Sequence, residues 1–264
     1  MCRLFGQHAH PAYDAAQPLC SAANALRFQS HKHPHGWGVG WYEHGSPRVR
    51  RGILPAHQDE AFAHAAGEAR SRVVLAHVRE KSIGEIAPEN THPFQHGRWL
   101  FAHNGTVARW KSVASVRAAI EGEIDADLRG LILGATDSER VFLVFLSRLR
   151  GRASLEHAGL EDVRRAMRET LAVVMGHADR RAESPSSINL LVTDGRVLAA
   201  CRRGRTLHLA TDAGPLHAIV VASEPIGEAA RWEELPEGGF VGTEDGAVAV
   251  RGPLRGRMRA SRAV

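Results

Sequence analysis

Cys2, Arg79, the pair Asn104-Gly105 and Asp137 are the residues of this 264-residue chain whose types could combine into one reaction. Cys2 directly follows Met1. Once Met1 is removed, a single residue carries both a thiol and a free α-amine. Such an amine titrates near about 7.7–8.0 and a free thiol near about 8.5, so at neutral pH the amine can take the thiol proton and leave a nucleophile. Any residue can follow an initiator methionine, so position alone does not make Cys2 a nucleophile, and the rest of the chain must supply its companions. In Leu75-Ala76-His77-Val78-Arg79 an arginine ends an apolar run, placed either to bind a carboxylate in bidentate fashion or to form a structural ion pair. In Phe101-Ala102-His103-Asn104-Gly105 a strand runs into Asn-Gly. The amide can donate to an oxyanion and the glycine N–H can approach the same oxygen; a plain turn is the alternative. Asp137 opens a helix in Thr136-Asp137-Ser138-Glu139, where an acidic residue caps the helix, suits its dipole, or holds an ammonium group. Jointly these groups fit a compound with an α-carboxylate, an α-ammonium and a carbonyl further along. That is a γ-glutamyl compound, of which glutamine is the simplest.

The elements that must position these residues are partly legible. Residues 17–30 read as a helix with Leu19, Ala22, Ala23 and Leu26 on one face, and 58–70 as a second, alanine-rich one. Val73-Val74-Leu75-Ala76 and Trp99-Leu100-Phe101-Ala102 read as short buried strands. From Asp137, the spacing of Val141, Phe142, Phe145, Leu146 and Leu149 predicts a helix ending at Gly151, and a further helix covers roughly 160–175. Residues 188–193 and 197–201 flank Asp194-Gly195 as a hairpin, 218–222 read as a strand, and 240–242 and 247–250 flank a second Asp-Gly turn at 245–246. Hairpins demand antiparallel pairing, and helices between strand groups suggest sheets covered by helices. Gly36-Trp37-Gly38-Val39-Gly40-Trp41-Tyr42 fits a strand start approached closely by another backbone. It is not a phosphate loop, because no Lys-Ser/Thr ending or following helix is present. Asn90-Thr91-His92-Pro93-Phe94 reads as a compact polar turn.

Composition narrows the class. A hydrophobic fraction of 44% suits a globular core, and no apolar run approaches the roughly 18 residues of a membrane span. The start is not a signal peptide, since polar residues and histidines follow at once. Cys2, Cys20 and Cys201 are odd in number and widely spaced, which argues for a reducing cytoplasm and against a disulfide framework. The net charge of +5 raises nucleic-acid binding. The densest basic stretch, however, is the tail with Arg251, Arg255, Arg257, Arg259 and Arg262, which has few aromatics to stack on bases and reads as solvated or disordered. His31, His33 and His35, with His8 and His10, could bind zinc or nickel, but neither a His-Glu-x-x-His nor a Cys-x-x-Cys pattern is present, and a polar loop near the active site fits better.

Taken in order, Met-Cys at 1–2, Gly-Trp-Gly at 36–38, His-Val-Arg at 77–79, Asn-Thr-His-Pro-Phe at 90–94, His-Asn-Gly at 103–105 and Thr-Asp-Ser-Glu at 136–139 resemble the class II glutamine amidotransferases, members of the N-terminal nucleophile hydrolases. The strand Ser187-Ile188-Asn189-Leu190-Leu191 and Ala222-Ser223-Glu224-Pro225 resemble their stand-alone members, including γ-glutamyl hydrolases such as that of ergothioneine biosynthesis. The resemblance implies an α+β fold, a four-layer αββα sandwich with two antiparallel sheets. It implies one domain over 1–250, followed by the basic tail 251–264. It further implies Cys2 as nucleophile with its own amine as base, Asn104 and the Gly105 N–H as oxyanion hole, Arg79 on the substrate α-carboxylate, Asp137 on the α-amino group, and Ser82 near the substrate where relatives often carry threonine. No cofactor or metal is implied. The expected reaction releases glutamate from glutamine or a γ-glutamyl conjugate through a γ-glutamyl thioester. The alternatives are a glutaminase subunit delivering ammonia to a separate synthase, since the hydrolase fold needs nearly the whole chain, and, lower, a histidine-rich metal-binding protein. Two departures stand out: His35 occupies the place where relatives commonly have aspartate, and Glu80-Lys81-Ser82-Ile83-Gly84 lacks the polar pattern of the biosynthetic members.

Overall fold

The computed structural model describes residues 2–213, 218–227, 231–246, 250–255 and 259–260. Its strands are β1 (Arg3–Tyr13), β2 (Trp37–Glu43), β3 (Ser46–Gly52), β4 (Ser71–Val78), β5 (Phe94–His96), β6 (Trp99–Thr106), β7 (Ser187–Thr193), β8 (Val197–Cys201), β9 (His208–Ala213), β10 (Ala218–Ala222), β11 (Trp232–Glu234), β12 (Gly239–Glu244), β13 (Val250–Pro253) and β14 (Arg259–Ala260). The helices are α1 (Leu26–Gln29), α2 (Glu60–Glu68), α3 (Ala114–Gly122), α4 (Ala126–Arg129), α5 (Asp137–Arg150) and α6 (Leu160–Ala178), with single turns at Gln17–Ser21 and Pro88–Asn90. One seven-stranded sheet runs β11-β9-β10-β1-β4-β2-β3, the other β14-β13-β12-β8-β7-β6-β5. Every pairing is antiparallel.

Side-chain alternation sorts the strands into layers. Leu4, Val73 and Leu75 of the first sheet meet Leu100, Ala102, Leu191 and Ala200 of the second in the space between the sheets. On the outer face of the first sheet, Phe5, Trp37, Val39 and Trp41 pack against Leu19, Leu26 and Phe62. On the outer face of the second, Trp99 and Phe101 meet α5 and α6 through Phe142, Phe145 and Met167. The result is the expected αββα sandwich. Among the described residues no helix is long and apolar enough to cross a membrane.

The expected helix over 17–30 is broken in two. Ala22 turns extended, and Asn24 takes a left-handed conformation with φ of 56°. The break is held from outside: Asn24 Nδ2 donates to the Pro225 carbonyl at 2.8 Å, and the Gly227 N–H donates to Ala23 O at 2.7 Å. Tertiary hydrogen bonds override the apolar periodicity here. In contrast, α5 begins and ends where the spacing placed it, with Thr136 accepting from the Glu139 N–H as N-cap and Gly151 at the C-cap. The strand expected at 247–250 lies outside the described residues except for Val250. That residue opens β13, whose pairing with β12 continues through Pro253, so sheet structure extends past the expected boundary at 250. Of the basic tail, Arg251 and Arg259 pair between β13 and β14, while 256–258 and 261–264 lie outside the described residues.

Candidate active site

Register brings Cys2 to Arg79. Arg3 pairs with Val78 across β1 and β4, so Cys2 stands opposite Arg79 at the strand ends. Cys2 has the parity of Leu4, and Arg79 that of Val73 and Leu75, so both side chains emerge on the face between the sheets. The Glu80 N–H donates to Cys2 Sγ at 3.3 Å, and Sγ lies 3.5 Å from Glu80 O. Burial pushes the Cys2 thiol up; the Glu80 N–H and the Arg79 guanidinium pull against this, and the Asp137 carboxylate adds to it. The resting thiol is therefore protonated at neutral pH and needs a base.

Arg79 is buried, and its guanidinium donates to three carbonyls of the following loop: Ile83 O at 2.9 Å, Glu85 O at 3.0 Å and Gly84 O at 3.3 Å. Among the described residues it forms no ion pair with a carboxylate. Among the described residues, then, the structural ion pair that the sequence left open is not formed, and the loop carbonyls fix the group without neutralising its charge. Burial lowers its pKa, and the Cys2 and Glu85 charges oppose that shift.

On the facing sheet, Asn104 projects into the same space, with the parity of Leu100 and Ala102. Its Nδ2 donates to Ser223 Oγ at 3.2 Å. Ser223 Oγ also accepts from the Leu4 N–H at 2.9 Å, and the Ser223 N–H donates to Leu4 O at 3.0 Å. One serine therefore ties the start of β1 to the end of β6. Gly105 is required by a close approach: a Cβ there would overlap the Ser187 carbonyl of β7. Asp137 is the first residue of α5 and is 3% exposed. Its Oδ2 accepts from the Val107 N–H just past β6, and its Oδ1 from the Ser138 N–H, both at 2.8 Å. His103 completes the junction, with Nδ1 at 2.8 Å from Ser138 Oγ and Nε2 at 3.2 Å from Ser187 O. β1 and β4 pair directly, Ser223 links the start of β1 to Asn104 on β6, and Asp137 at the start of α5 accepts from the Val107 N–H just past β6, so the four elements meet at one end of the sandwich.

The family model of the class II glutamine amidotransferases matches residues 1–218. The chain belongs to this family. A γ-glutamyl-hercynylcysteine sulfoxide hydrolase of Mycolicibacterium smegmatis is 32% identical over 244 residues, covering 90% of each chain. A glutamine aminotransferase class-II domain protein from Silicibacter pomeroyi superposes with a TM-score of 0.68 at 23% identity, over 96% of this chain and 99% of that one. The glutamine phosphoribosylpyrophosphate amidotransferase of B. subtilis does so with a TM-score of 0.64 at 16% identity, over 97% of this chain and 50% of that one. At these identities the two structures speak for the fold alone, two antiparallel sheets between helical layers. With the family comes the reaction class: the chain is an amidohydrolase enzyme.

Against that family's pattern, Ser82 lies exposed on the loop that wraps the Arg79 guanidinium. The histidine-rich stretch forms a support for that loop. His33 Nδ1 meets Glu80 Oε2 at 3.2 Å, and the Lys81 N–H donates to His35 Nδ1 at 3.1 Å. His31 stacks on His57 instead, with ring centroids 3.7 Å apart. The three histidines thus have separate partners, and His35 orients the backbone after Glu80. Ser223 carries no local signal from which its role could be read.

Proposed function

We propose that this enzyme hydrolyses the γ-glutamyl amide bond of a γ-glutamyl conjugate, with Cys2 as N-terminal nucleophile. The observation that carries the reading is the pairing of Cys2 with Arg79 on the inter-sheet face, opposite Asn104. After removal of Met1, the Cys2 amine takes the thiol proton and Sγ attacks the δ-carbonyl. The C=O π electrons move onto oxygen, where Asn104 Nδ2 and the Gly105 N–H receive the negative charge. The Cys2 ammonium then protonates the leaving nitrogen, the C–N bond breaks, and a γ-glutamyl thioester remains. Water attacks the thioester with its proton taken by the same amine, releasing glutamate and the thiol. Arg79 holds the α-carboxylate and Asp137 the α-ammonium throughout, so both act mainly in binding. Similarity to the mycobacterial γ-glutamyl hydrolase over nearly the whole chain favours a conjugate over free glutamine. The three free cysteines suit a reducing compartment such as the cytoplasm.

Incubation with glutamine, glutathione and a panel of γ-glutamyl amines, read by glutamate release, tests the reading. A conjugate turned over faster than glutamine is the expected result. Turnover of glutamine alone would instead favour an ammonia-delivering subunit with a separate synthase. Arg79→Ala should raise KM by at least about ten-fold with a smaller change in kcat; an unchanged KM would remove Arg79 from carboxylate binding.

A further inference from the structure

The turn Asn90-Thr91-His92 has so far only a structural description, yet the Asn90 side chain joins the two loops that frame the substrate's amino-acid end. Asn90 is 4% exposed. Its Nδ2 donates to Glu85 O at 3.1 Å, the same carbonyl that accepts from Arg79 Nη1 at 3.0 Å. Its Oδ1 accepts from the Ala135 N–H at 2.8 Å, two residues before Asp137. Both ends of one amide are thus engaged, one by the Arg79 loop and one by the loop leading into α5.

The packing around the amide is equally committed. A Cβ on Gly84 would lie 2.9 Å from Asn90 Cγ, and one on Gly134 would lie 2.5 Å from Asn90 Oδ1. Glycine is therefore needed on each loop for the close approach. Glu139 holds the second loop from its other side, accepting from the Leu133 N–H at 2.8 Å and from the Gly134 N–H at 2.9 Å. Asn90 itself is set by the turn Pro88–Asn90, with its N–H on Ala87 O at 3.1 Å.

We infer that Asn90 is a positioning residue that sets the spacing between the α-carboxylate site at Arg79 and the α-ammonium site at Asp137. The inference rests on the reading of those two residues proposed above and adds to it what holds them at the separation of an α-amino acid. Hydrogen bonds of an unsubstituted peptide loop would leave the two sites free to shift independently. A shared amide makes the loops move as one, so recognition of the two substrate charges is coupled.

The test uses three forms of one amide: the γ-glutamyl form that the wild-type enzyme hydrolyses best, the glutaryl form lacking the α-amine, and the 4-aminobutyryl form lacking the α-carboxylate. Wild type is expected to prefer the first over both others in kcat/KM. In Asn90→Ala each preference should fall by about ten-fold, carried by KM, the size expected when a buried hydrogen bond to a charged site's support is lost. Asn90→Asp keeps the acceptor for Ala135 and loses the donor to Glu85. It should lose the preference for the α-carboxylate while keeping that for the α-ammonium. Preserved preferences in both variants, or a uniform fall in kcat on all three amides, would overturn the inference, since a merely structural role lowers turnover without changing discrimination. A wild-type enzyme that does not prefer the γ-glutamyl form would overturn the Arg79 and Asp137 assignments first, before any variant is made. Should Asn90→Ala melt far below wild type, the near-isosteric Asn90→Asp alone decides.

Discussion

Ser223 shows how much of this site depends on a residue with no chemistry of its own. Its hydroxyl oxygen accepts from the Leu4 N–H and from Asn104 Nδ2, so it fixes Asn104, the proposed oxyanion donor, relative to Cys2, the proposed nucleophile two residues before Leu4. Ser223→Ala removes that reference point and leaves a buried N–H without its partner. The expected outcome is a kcat lower by about ten-fold with a smaller change in KM, against a loss of about 100- to 1000-fold for Asn104→Ala. Steady-state kinetics on one γ-glutamyl substrate compares the two, and an unchanged kcat in Ser223→Ala would mean that Asn104 keeps its orientation unaided. Cys2→Ala should abolish glutamate release while the melting temperature holds, because among the described residues the thiol's hydrogen-bond partners are the Glu80 backbone groups; retained turnover would end the nucleophile assignment. Cys2, Arg79, Asn104 and Asp137 were proposed from the sequence because each belongs to a short motif whose chemistry is local. Ser223 and Asn90 were not, because their roles lie in which distant backbone groups they reach.

The unit that delivers Asp137 is the pairing of β6 with α5. Phe101 stacks on Phe142 with centroids 5.0 Å apart, and Trp99 meets Phe145 edge-on at 5.8 Å. Burial of each such ring contributes about 1.5–3 kcal/mol, which anchors the helix start beside Asn104 and Gly105. The sequence announced this unit well: the cap, the apolar period and the terminal glycine of α5 all agree with one another. The exposed strand β3 was missed, since its Ser-Pro-Arg-Val-Arg-Arg-Gly pattern offers little apolar alternation and it is held by pairing with β2. Element-level predictions follow from the same contacts. Thr136→Ala should cost about 1 kcal/mol in urea unfolding, the usual loss of an N-cap, and should raise KM as the helix start loosens. Gly38→Ala acts on another junction, because a Cβ there would overlap the His92 carbonyl that crosses β2. It should destabilise by roughly 1–3 kcal/mol, and an unaffected unfolding midpoint would show that the 90–94 turn can yield.

At the scale of the whole molecule, the layer between the sheets is apolar at its centre and holds histidines toward the active-site end. His77 follows Leu75 on the inter-sheet face of β4, and its ring lies 4.2 Å from that of His92, centroid to centroid. Both are buried, and no ring nitrogen of either has a hydrogen-bond partner among the described residues. Burial, reinforced by the Arg79 charge, lowers the His77 pKa to about 3, and burial pushes His92 well down in the same direction. The unfolded chain takes up these protons near about 6.5. Between those values the unfolded state binds more protons than the folded one, so stability rises with pH. The contribution is complete above about 6.5 and is lost progressively as pH falls toward 3. Each such histidine steepens the dependence by up to about 1.4 kcal/mol per pH unit. Carboxylates held low, such as Glu161 beside Arg164 and Arg165, begin to act about one pH unit above their unfolded value of 4.5, so most of the interval from 4.5 to 6.5 belongs to the histidines. His8 and His33, both lowered to about 4 chiefly by burial, add to the same slope. Urea unfolding at several pH values should therefore show a steep loss of stability from 6.5 to 4.5 and little change from 7 to 8. His77→Gln, which cannot take up the proton in either state, should reduce that slope by close to one proton's worth. A variant slope equal to that of wild type would mean that His77 is charged in the folded enzyme, and the inter-sheet layer would then have to hold a cation next to Arg79.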